Sequence, residues 1–422
     1  MNTKSLTLKR KNTHIQAEVE LPGSKSESNR ALMMAAYGNF QLRAAGMSDA
    51  ADTRLMQRNL DLIEDCRQSG VSSVVDCENA GTVLRFLLPY LAGLPGKWML
   101  TGSLRMMERP VAPLVEALQK LGAIIHYTEK TGYPPMLIRG KQLQGGTVEV
   151  DGSKSSQFVS ALLMAGPSME NGMRLKATGK LVSSSYFQMT VAMMRRLGIS
   201  ITEDDNGFTI KPGTYQPKPV LISRDWSGAA FWYELMALAD RGELWIKDLS
   251  LQSLQGDRVL AELFQKLGVE TVEEEDGLRI MKKGKVVREL KFDFTDCPDL
   301  FPAVAACCAG LQLKAVFTGL AHLRIKETDR IHAMTTELAK VGCVLKPIGD
   351  DVYATEYKNI ASASNPRFMT YGDHRVAMAL APLVMKTASA FIHDPQVVQK
   401  SYPEFWEMLM RTGAFTIAYE GQ

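Results

Sequence analysis

Two acidic residues in the last third of the chain stand beside basic residues, in patterns that suit acid–base chemistry on an anionic substrate. Asp299 follows a proline just before an apolar run, and Glu327 lies within the charged segment RIKETDRIHAM (324–334). A carboxylate can accept a proton from a reacting hydroxyl, and a neighbouring Lys or Arg can bind a phosphate or carboxylate. Charged segments also form solvated helix faces, and Arg324 and Asp329 fit that interpretation.

One local pattern that would position such residues recurs six times along the chain. In each case a cluster of polar residues begins an apolar helix that is rich in small residues. The openings begin at Ser24, Asn79, Ser155, Asp225, Pro298 and Asp373. Because the first turn of a helix leaves N–H groups unpaired and carries partial positive charge, it binds anions readily. The repetition, with Lys and Arg nearby, predicts a protein that binds phosphates and carboxylates.

A second recurrence sets the length of the repeat, because amphipathic helices end at a glycine that can adopt the left-handed conformation. These glycines are Gly122, Gly198, Gly268, Gly342 and Gly413. A hairpin signal follows four of them, as in ISITEDDNGFTIKPG (199–213) and VETVEEEDGLRIMKKG (269–284). The chain therefore contains six units of roughly 70 residues, each reading helix, strand, helix, strand, turn, strand. The helix of the first unit, LMQRNLDLIEDC (55–66), shows no such glycine.

Composition places the chain among soluble globular proteins of more than one domain. It has 422 residues, 45% of them apolar and 23% charged, and its net charge of +3 is too small to indicate a nucleic-acid partner. Its six Cys residues form no CxxC pair and its six His residues no metal-ligand spacing, so we predict buried thiols in a reducing cytoplasm and no metal. No apolar run reaches the roughly 18 residues of a membrane helix, and the first 13 residues do not read as a signal peptide.

The six units divide into three and three, and clusters of proline and glycine mark the division. These clusters lie at 21–23 and 211–219. We predict one domain at 22–222 and a second formed by 1–21 together with 223–422, so that the chain crosses between the domains twice. A cleft between domains is a common place for a ligand.

Nine motifs in order make the chain resemble the family of 5-enolpyruvylshikimate-3-phosphate synthases, which are enolpyruvyl transferases. They are LPGSKSESNRAL (21–32), NAGTVLR (79–85), RMMERP (105–110), DGSKSSQF (151–158), LVSSSY (181–186), Pro298-Asp299, RIKETDR (324–330), DHRVAM (373–378) and Lys400. The resemblance implies an α/β fold, a two-domain inside-out α/β barrel with three βαβαββ repeats in each domain and two crossover strands between them. Phe86 and His322 depart from the family pattern, because many members have Pro or Leu at the first position and Asn at the second.

The resemblance implies that the enolpyruvyl group of phosphoenolpyruvate is transferred to the 5-hydroxyl of shikimate 3-phosphate, through a tetrahedral intermediate that then loses phosphate. It implies catalytic roles for Lys25, Asp299, Lys326 and Glu327, with Asp299 as the base toward the hydroxyl and Glu327 as the group that moves the methyl proton. Shikimate 3-phosphate would contact Lys25, Ser26, Arg30, Ser155, Ser156, Gln157, Ser183, Tyr186, Asp299 and Lys326. Phosphoenolpyruvate would contact Lys25, Gly81, Arg109, Gln157, Arg330, Arg375 and Lys400.

These assignments give the two domains different roles. The 22–222 domain would hold most contacts to shikimate 3-phosphate, and the other domain would hold the acid–base residues and part of the phosphoenolpyruvate clamp. We expect a cytoplasmic monomer that needs no cofactor or metal and binds neither nucleic acid nor a membrane.

The residues leave two other functions open. The sister enolpyruvyl transferases act on UDP-N-acetylglucosamine and would carry a reactive Cys near 105–113, where this chain has none. A non-catalytic binder of anions or RNA phosphates would keep the Lys and Arg residues but would not need both Asp299 and Glu327.

The net charge of the proposed site matches that of its substrates. The seven proposed Lys and Arg side chains, less the two carboxylates Asp299 and Glu327, leave a charge of about +5. This nearly balances the charge of roughly −5 to −6 that the two substrates bring.

Overall fold

The computed structural model describes residues 5–40, 43–151, 156–179, 183–204, 207–358 and 365–420, and the chain divides into two compact units. The continuous unit is Ser24–Ile222, and the discontinuous unit joins Met1–Gly23 to Ser223–Gln422. The chain therefore passes from one unit to the other at residues 23–24 and again at 222–223.

The continuous unit follows two N-terminal strands of the discontinuous unit, β1 (Ser5–Arg10) and β2 (His14–Val19). Its helices are α1 (Lys25–Tyr37), α2 (Ala51–Ser69), α3 (Gly81–Gly93), α4 (Leu104–Met107), α5 (Ala112–Lys120), α6 (Ser156–Ala165) and α7 (Ser184–Arg196). Its strands are β3 (Ala44–Ala45), β4 (Ser73–Asp76), β5 (Gly96–Thr101), β6 (Ile124–Tyr127), β7 (Met136–Gly140), β8 (Gly146–Asp151), β9 (Met173–Thr178), β10 (Ile201–Asp204), β11 (Gly207–Ile210) and β12 (Val220–Leu221).

The discontinuous unit contains the remaining elements. Its helices are α8 (Trp226–Leu238), α9 (Leu260–Gln265), α10 (Phe301–Leu311), α11 (Arg330–Ala339), α12 (His374–Leu380), α13 (Val384–Thr387) and α14 (Phe405–Arg411). Its strands are β13 (Arg241–Lys247), β14 (Leu267–Glu274), β15 (Gly277–Val286), β16 (Glu289–Asp293), β17 (Lys314–Thr318), β18 (Cys343–Gly349), β19 (Val352–Tyr357), β20 (Arg367–Phe368), β21 (Ser389–His393) and β22 (Phe415–Glu420).

One sheet topology recurs along the described chain, with two parallel strands followed by an antiparallel pair. It appears in the spatial orders β4-β5-β7-β6, β8-β9-β11-β10, β2-β13-β15-β14 and β16-β17-β19-β18. In the sheet β20-β21-β1-β22, the N-terminal strand β1 lies between two strands from the end of the chain. The sheet of the first repeat contains two described strands, the parallel pair β3 and β12. The repeats are thus βαβαββ units, and the first is reduced.

Apolar helices form the centre of each unit. Every residue of α8 and of α12 is buried, and α10 packs against both helices. In the continuous unit α6 packs against α3 and α7, and nearly all of α3 is buried. A helix that is apolar on all sides must be surrounded by other elements, so the sheets and the amphipathic helices lie around these helices. Among the described residues, no helix is both long and apolar enough to cross a bilayer.

The predicted helix openings agree with the structure, and four of the five predicted glycine stops lie just past the end of a helix, while Gly268 is the second residue of β14. Helices α1, α3, α6, α8, α10 and α12 begin at the six openings. The five predicted glycines, at 122, 198, 268, 342 and 413, have φ values of 99°, 85°, 82°, 84° and 69°, where glycine avoids the steric cost of a Cβ. The prediction for the first unit was wrong, because α2 continues past Cys66 to Ser69 and ends at Gly70 with φ 70°.

Candidate active site

One buried guanidinium, that of Arg330, binds three carboxylates in the discontinuous unit. Arg330 is the first residue of α11, which is capped by Asp329, and its side chain is 1% exposed. Its Nε lies 2.8 Å from Asp373 Oδ2, its Nη1 2.8 Å from Asp299 Oδ1 and its Nη2 3.0 Å from Glu327 Oε2. Burial acts to lower the Arg330 pKa, but the three carboxylates raise it above its ordinary value, so the group stays charged.

The Asp299 carboxylate has cations at both of its oxygens. It lies in a 3₁₀ turn (Pro298–Leu300) that leads into α10. Arg375 Nη2 lies 2.7 Å from Oδ2, and Lys326 Nζ lies 4.0 Å from Oδ1, the oxygen that also binds Arg330. Burial alone would raise the pKa of this carboxyl, but the three cations outweigh burial and hold the pKa well below its ordinary value. Asp299 is therefore ionised at neutral pH.

Glu327 shares the Arg330 guanidinium and also faces a lysine from another element. Its Oε1 lies 3.7 Å from the Nζ atom of Lys400, which ends the 3₁₀ segment Pro395–Lys400. The side chains of Glu327 and Lys400 are 12% and 14% exposed. A proton moved by Glu327 would therefore be exchanged in a largely dry setting, where nearby positive charge acts more strongly than in water.

Asp373 connects the start of α12 to this cluster. Its Oδ1 accepts a hydrogen bond from the backbone N–H of Arg375 at 2.9 Å, and its Oδ2 binds Arg330. One carboxylate thus caps the helix that carries Arg375 and fixes the guanidinium that binds Asp299. The sequence predicts Asp373 as the opening of an apolar helix, and the structure adds its bond to Arg330.

Two further ionisable groups interact electrostatically with Asp299. Asp257 is 2% exposed, accepts a hydrogen bond from the Ser227 hydroxyl, and has its pKa raised to about 7, first by burial and then by Asp299. His322 lies in the 3₁₀ segment 321–325, and its pKa is lowered to about 4 by burial and by the charge of Lys326. The imidazole is therefore neutral near pH 7. Asp257 lies in none of the nine motifs, so the sequence did not predict its place beside Asp299.

In the continuous unit, the first turn of α1 carries Lys25 and Ser26. The Ser24 side chain caps this turn by accepting a hydrogen bond from the Glu27 N–H at 3.4 Å. Lys25 Nζ lies 3.3 Å from Asp52 Oδ2 in the first turn of α2, and both side chains are largely buried. This pair fixes the ammonium group. Asp52 was not predictable as part of the site, because an acidic residue in a first helical turn is ordinary.

Arg30 lies one turn further along α1 and is buried. Its guanidinium donates to the hydroxyls of Thr190 and Ser160 and to the backbone carbonyls of Ser26 and Tyr186. These bonds connect α1 to α6 and α7. They also fix the position of the α7 turn that carries Tyr186, a second predicted contact to the phosphorylated substrate.

The start of α3 gathers four polar groups around Gly81. A Cβ atom at Gly81 would lie 2.6 Å from Arg109 Nη2, so a larger residue there would displace that guanidinium. Nearby, Arg85 Nη1 donates to Gln157 Oε1 at 2.6 Å, and Gln157 Nε2 donates to Thr82 Oγ1 at 2.9 Å. Arg85 closes the NAGTVLR motif but is not among the predicted site residues.

Three other predicted contacts lie at helix starts in the same unit. Ser156 is the first residue of α6, Tyr186 lies in the first turn of α7, and Ser183 is the N-cap of α7. Ser183 has φ 54°, a left-handed conformation that costs a non-glycine residue roughly 1 kcal/mol or more. Ser155 lies outside the described residues.

Each unit therefore contains its own group of charged side chains. In the discontinuous unit, two acid–base candidates lie among four cations, Lys326, Arg330, Arg375 and Lys400. Such a group can move protons and bind multiply charged anions. In the part of the chain that the structure describes, no group of three or more His, Cys, Asp or Glu side chains is arranged to hold a metal ion.

The chain is similar to known proteins along nearly its whole length. The family model described as EPSP synthase (3-phosphoshikimate 1-carboxyvinyltransferase) matches residues 9–409. The chain is 39% identical over 402 residues to a 3-phosphoshikimate 1-carboxyvinyltransferase of Bacteroides fragilis, covering 95% of this chain and 96% of that protein. It is 34% identical over 426 residues to the protein of that name in Pasteurella multocida, covering 94% and 96%.

Two solved structures share the fold. An EPSP synthase from Acinetobacter baumannii superimposes with a TM-score of 0.77 at 22% identity, covering 99% of this chain and 100% of that chain. The enolpyruvyl transferase NikO from Streptomyces tendae superimposes with a TM-score of 0.74 at 15% identity, with the same coverage. The predicted two-domain α/β architecture is thus confirmed.

Proposed function

This chain belongs to the family of EPSP synthases, the 3-phosphoshikimate 1-carboxyvinyltransferases, and we propose that the side chains around Arg330 perform the acid–base steps of its reaction. It transfers the enolpyruvyl group of phosphoenolpyruvate to 3-phosphoshikimate. Transfer to UDP-N-acetylglucosamine and anion binding without catalysis are therefore set aside. The proposal rests on one observation, that Asp299 and Glu327 contact the same buried guanidinium.

Asp299 is the base toward the 5-hydroxyl of 3-phosphoshikimate. A carboxylate whose pKa is held low is ionised but weakly basic. Arg375 and Arg330, which hold the pKa low, are also the proposed ligands of phosphoenolpyruvate. An anion bound to these two cations would partly offset their charge, raise the pKa of Asp299 and make it a stronger base. Substrate binding would thus activate the base.

Glu327 moves the proton of the methylene carbon. During addition Asp299 takes the proton of the hydroxyl, whose oxygen attacks C2 of phosphoenolpyruvate, while C3 takes a proton from the protonated carboxyl of Glu327, which gives a tetrahedral intermediate. During elimination Glu327 takes a proton back from C3 as phosphate leaves C2, and the proton held by Asp299 goes to the departing phosphate. Arg330 and Lys400, which lie on either side of this carboxylate, stabilise the charge on the substrate and on the departing phosphate, and Lys326 assists proton transfer beside Asp299.

The continuous unit supplies most contacts to 3-phosphoshikimate. These contacts are Lys25, Ser26, Arg30, Ser155, Ser156, Gln157, Ser183 and Tyr186, joined by Asp299 and Lys326. The ligands of phosphoenolpyruvate in this unit are Lys25, Gly81, Arg109 and Gln157. Within this group Lys25 is held by Asp52, Gln157 by Arg85, and Arg30 by Thr190 and Ser160. Such support limits the conformational entropy that is lost on binding.

The variant Glu327→Gln tests the acid–base proposal. The amide keeps the size of the side chain but cannot carry the proton, so phosphate release should fall by about 10²-fold or more while both substrates still bind. Phosphate release and calorimetric titration with each substrate measure the two effects. Glu407→Gln, a change at an exposed carboxylate paired with Arg411, is the matched control and should retain full activity. An unchanged rate in Glu327→Gln would remove this residue from the mechanism.

We also propose that the enzyme acts as a cytoplasmic monomer. All six Cys residues are free thiols, and five of them are buried, as expected in a reducing compartment. Light scattering coupled to size exclusion, with and without both substrates, tests whether the enzyme is a monomer, since a mass of twice 46.6 kDa would contradict it. Cell fractionation tests whether the enzyme is cytoplasmic.

A further inference from the structure

The protein itself occupies four of the five N–H donors of Arg30. Nε donates to Thr190 Oγ1 at 2.7 Å, and Nη2 donates to Ser160 Oγ at 3.2 Å and to the Tyr186 carbonyl at 3.0 Å. One hydrogen of Nη1 goes to the Ser26 carbonyl at 2.9 Å. The other Nη1 hydrogen has no acceptor among the described residues, so Arg30 has one donor for a ligand.

Two aromatic rings enclose the same guanidinium. Its central carbon lies 5.3 Å from the centroid of the Phe86 ring and 6.0 Å from that of Tyr186, within the range of cation–π attraction. Burial lowers the Arg30 pKa to about 10, while Tyr186 and Glu27 act in the opposite direction, so the group is cationic at neutral pH. Phe86 is one of the positions where the chain departs from the family pattern.

A pair of buried hydroxyls fixes the orientation of the guanidinium. Thr190 and Ser160 have no exposed surface, and their hydroxyl oxygens lie 3.0 Å apart. The Thr190 hydroxyl is also 3.0 Å from the carbonyl of Tyr186. Without the Thr190 oxygen, the Nε hydrogen would face a dry interior with no acceptor. The plane of the guanidinium would then change to find one.

We propose that Thr190, Ser160 and Phe86 are positioning residues that hold Arg30 so that one Nη1 hydrogen points to an oxygen of 3-phosphoshikimate. Arg30 then makes a single directed hydrogen bond rather than a bidentate clamp. The positioning raises affinity for this substrate alone, because no proposed ligand of phosphoenolpyruvate takes part. The inference rests on the proposed role of Arg30 as a contact to 3-phosphoshikimate.

The variant Thr190→Val tests the inference, because it removes the hydroxyl and keeps the shape of the side chain. We expect the KM for 3-phosphoshikimate to rise about ten-fold, with kcat and the KM for phosphoenolpyruvate within about two-fold. Calorimetric titration with 3-phosphoshikimate alone should show the same loss of affinity. Thr190→Ser, which restores the oxygen, should return the KM to the original value.

Ser160→Ala and Phe86→Leu provide independent tests should Thr190→Val fold poorly. Ser160→Ala removes the acceptor of one Nη2 hydrogen, and Phe86→Leu removes a ring at a position where the family accepts leucine. We expect a rise in the KM for 3-phosphoshikimate of about three-fold or more in each variant. Thr387→Val is the matched control, because Thr387 is a buried threonine of the discontinuous unit with hydrogen bonds to backbone carbonyls. It should leave both KM values unchanged.

The outcomes separate this inference from the proposed function. If Arg30→Lys weakens binding of 3-phosphoshikimate but Thr190→Val and Ser160→Ala do not, Arg30 contacts the substrate and the positioning role is wrong. If Arg30→Lys also leaves binding unchanged, the proposed contact itself fails. A rise in KM that Thr190→Ser does not reverse would mean that packing, and not the hydroxyl, matters, which also overturns the inference.

Discussion

Arg330 Nη1 lies 2.8 Å from Asp299 Oδ1, and the same guanidinium binds Glu327 through Nη2 at 3.0 Å. The proposed base for the hydroxyl and the proposed acid for the methylene carbon thus share one buried cation. The charge of Glu327 acts to raise the pKa of Asp299, so protonation of Glu327 would lower the pKa of Asp299 further. This arrangement makes Arg330 the residue whose replacement is most informative.

We expect Arg330→Lys to keep the charge but lose the fork that reaches three carboxylates at once. The kcat/KM for phosphoenolpyruvate should fall by about 10²-fold or more. The free energy of unfolding should fall by about 3 kcal/mol, because buried carboxylates are left incompletely paired. Steady-state kinetics and urea unfolding measure the two effects. Arg411→Lys, at an exposed pair with Glu407, should cost under about 0.5 kcal/mol. Equal losses in both variants would contradict the prediction.

Asp257 makes stability depend on pH. Burial, followed by Asp299, raises its pKa to about 7, with the Ser227 hydroxyl and Arg375 acting in the opposite direction. Since the folded pKa exceeds the unfolded value of about 3.9, the folded state loses stability as pH rises from about 4 to about 7. Asp257→Asn cannot ionise and should escape this loss.

Urea unfolding near pH 5 and near pH 8 measures this effect. We expect the stability of Asp257→Asn relative to the original protein to be greater near pH 8 by about 2 kcal/mol. Ser227→Ala removes the hydrogen bond that stabilises the ionised form, so it should make the pH dependence steeper. Parallel stability curves for the original protein and Asp257→Asn would show that this carboxyl does not titrate differently on folding.

The positions of most helices could be predicted because the signals that start and end a helix lie within short stretches of sequence. A cap such as Asp225 or Asp373 directly precedes its apolar run, and a left-handed glycine follows amphipathic helices such as α5 and α7. The end of α2 at Gly70 was not predictable from apolar periodicity. Its last turns are polar and stabilised by side-chain bonds, such as those that Arg67 and Gln68 donate to Glu64.

The candidate site could be predicted only where its residues lie in motifs. Asp257 interacts with Asp299 because the segment Gly256–Val259 packs against α8, a contact that no local pattern encodes. The same holds for the pairing of Lys25 with Asp52. Tertiary packing also decides which donors of Arg30 are occupied, since the acceptors come from three helices.

His322 should remain neutral during catalysis and should act on stability at acid pH. Burial and Lys326 lower its pKa to about 4, below the unfolded value of about 6.5. For a histidine with a lowered pKa, stability is complete above about pH 6.5 and is lost as pH falls toward about 4. His322→Asn should reduce this loss by about 2 kcal/mol in urea unfolding. The shape of the kcat profile between about pH 6.5 and 8 should not change, and a lost inflection there would contradict the prediction.

Glu234 places a carboxyl in the apolar centre of the discontinuous unit. It lies on α8 with no exposed surface, and neither of its carboxyl oxygens has a hydrogen-bond partner among the described residues. Burial raises its pKa well above the ordinary value, so the folded protein holds this group protonated. The unfolded chain ionises it above about pH 4.3, and the folded state therefore loses stability as pH rises past that value.

We expect Glu234→Met, which fills a similar volume without ionising, to raise the free energy of unfolding near pH 8 by about 2 kcal/mol or more. The gain should shrink near pH 4, where the unfolded chain also holds the proton. Glu234→Gln should gain less, because its amide remains buried without a hydrogen-bond partner. Urea unfolding at both pH values measures these differences, and phosphate release should stay unchanged. A methionine variant that is less stable than the original protein near pH 8 would mean that this carboxyl has a favourable role in the core.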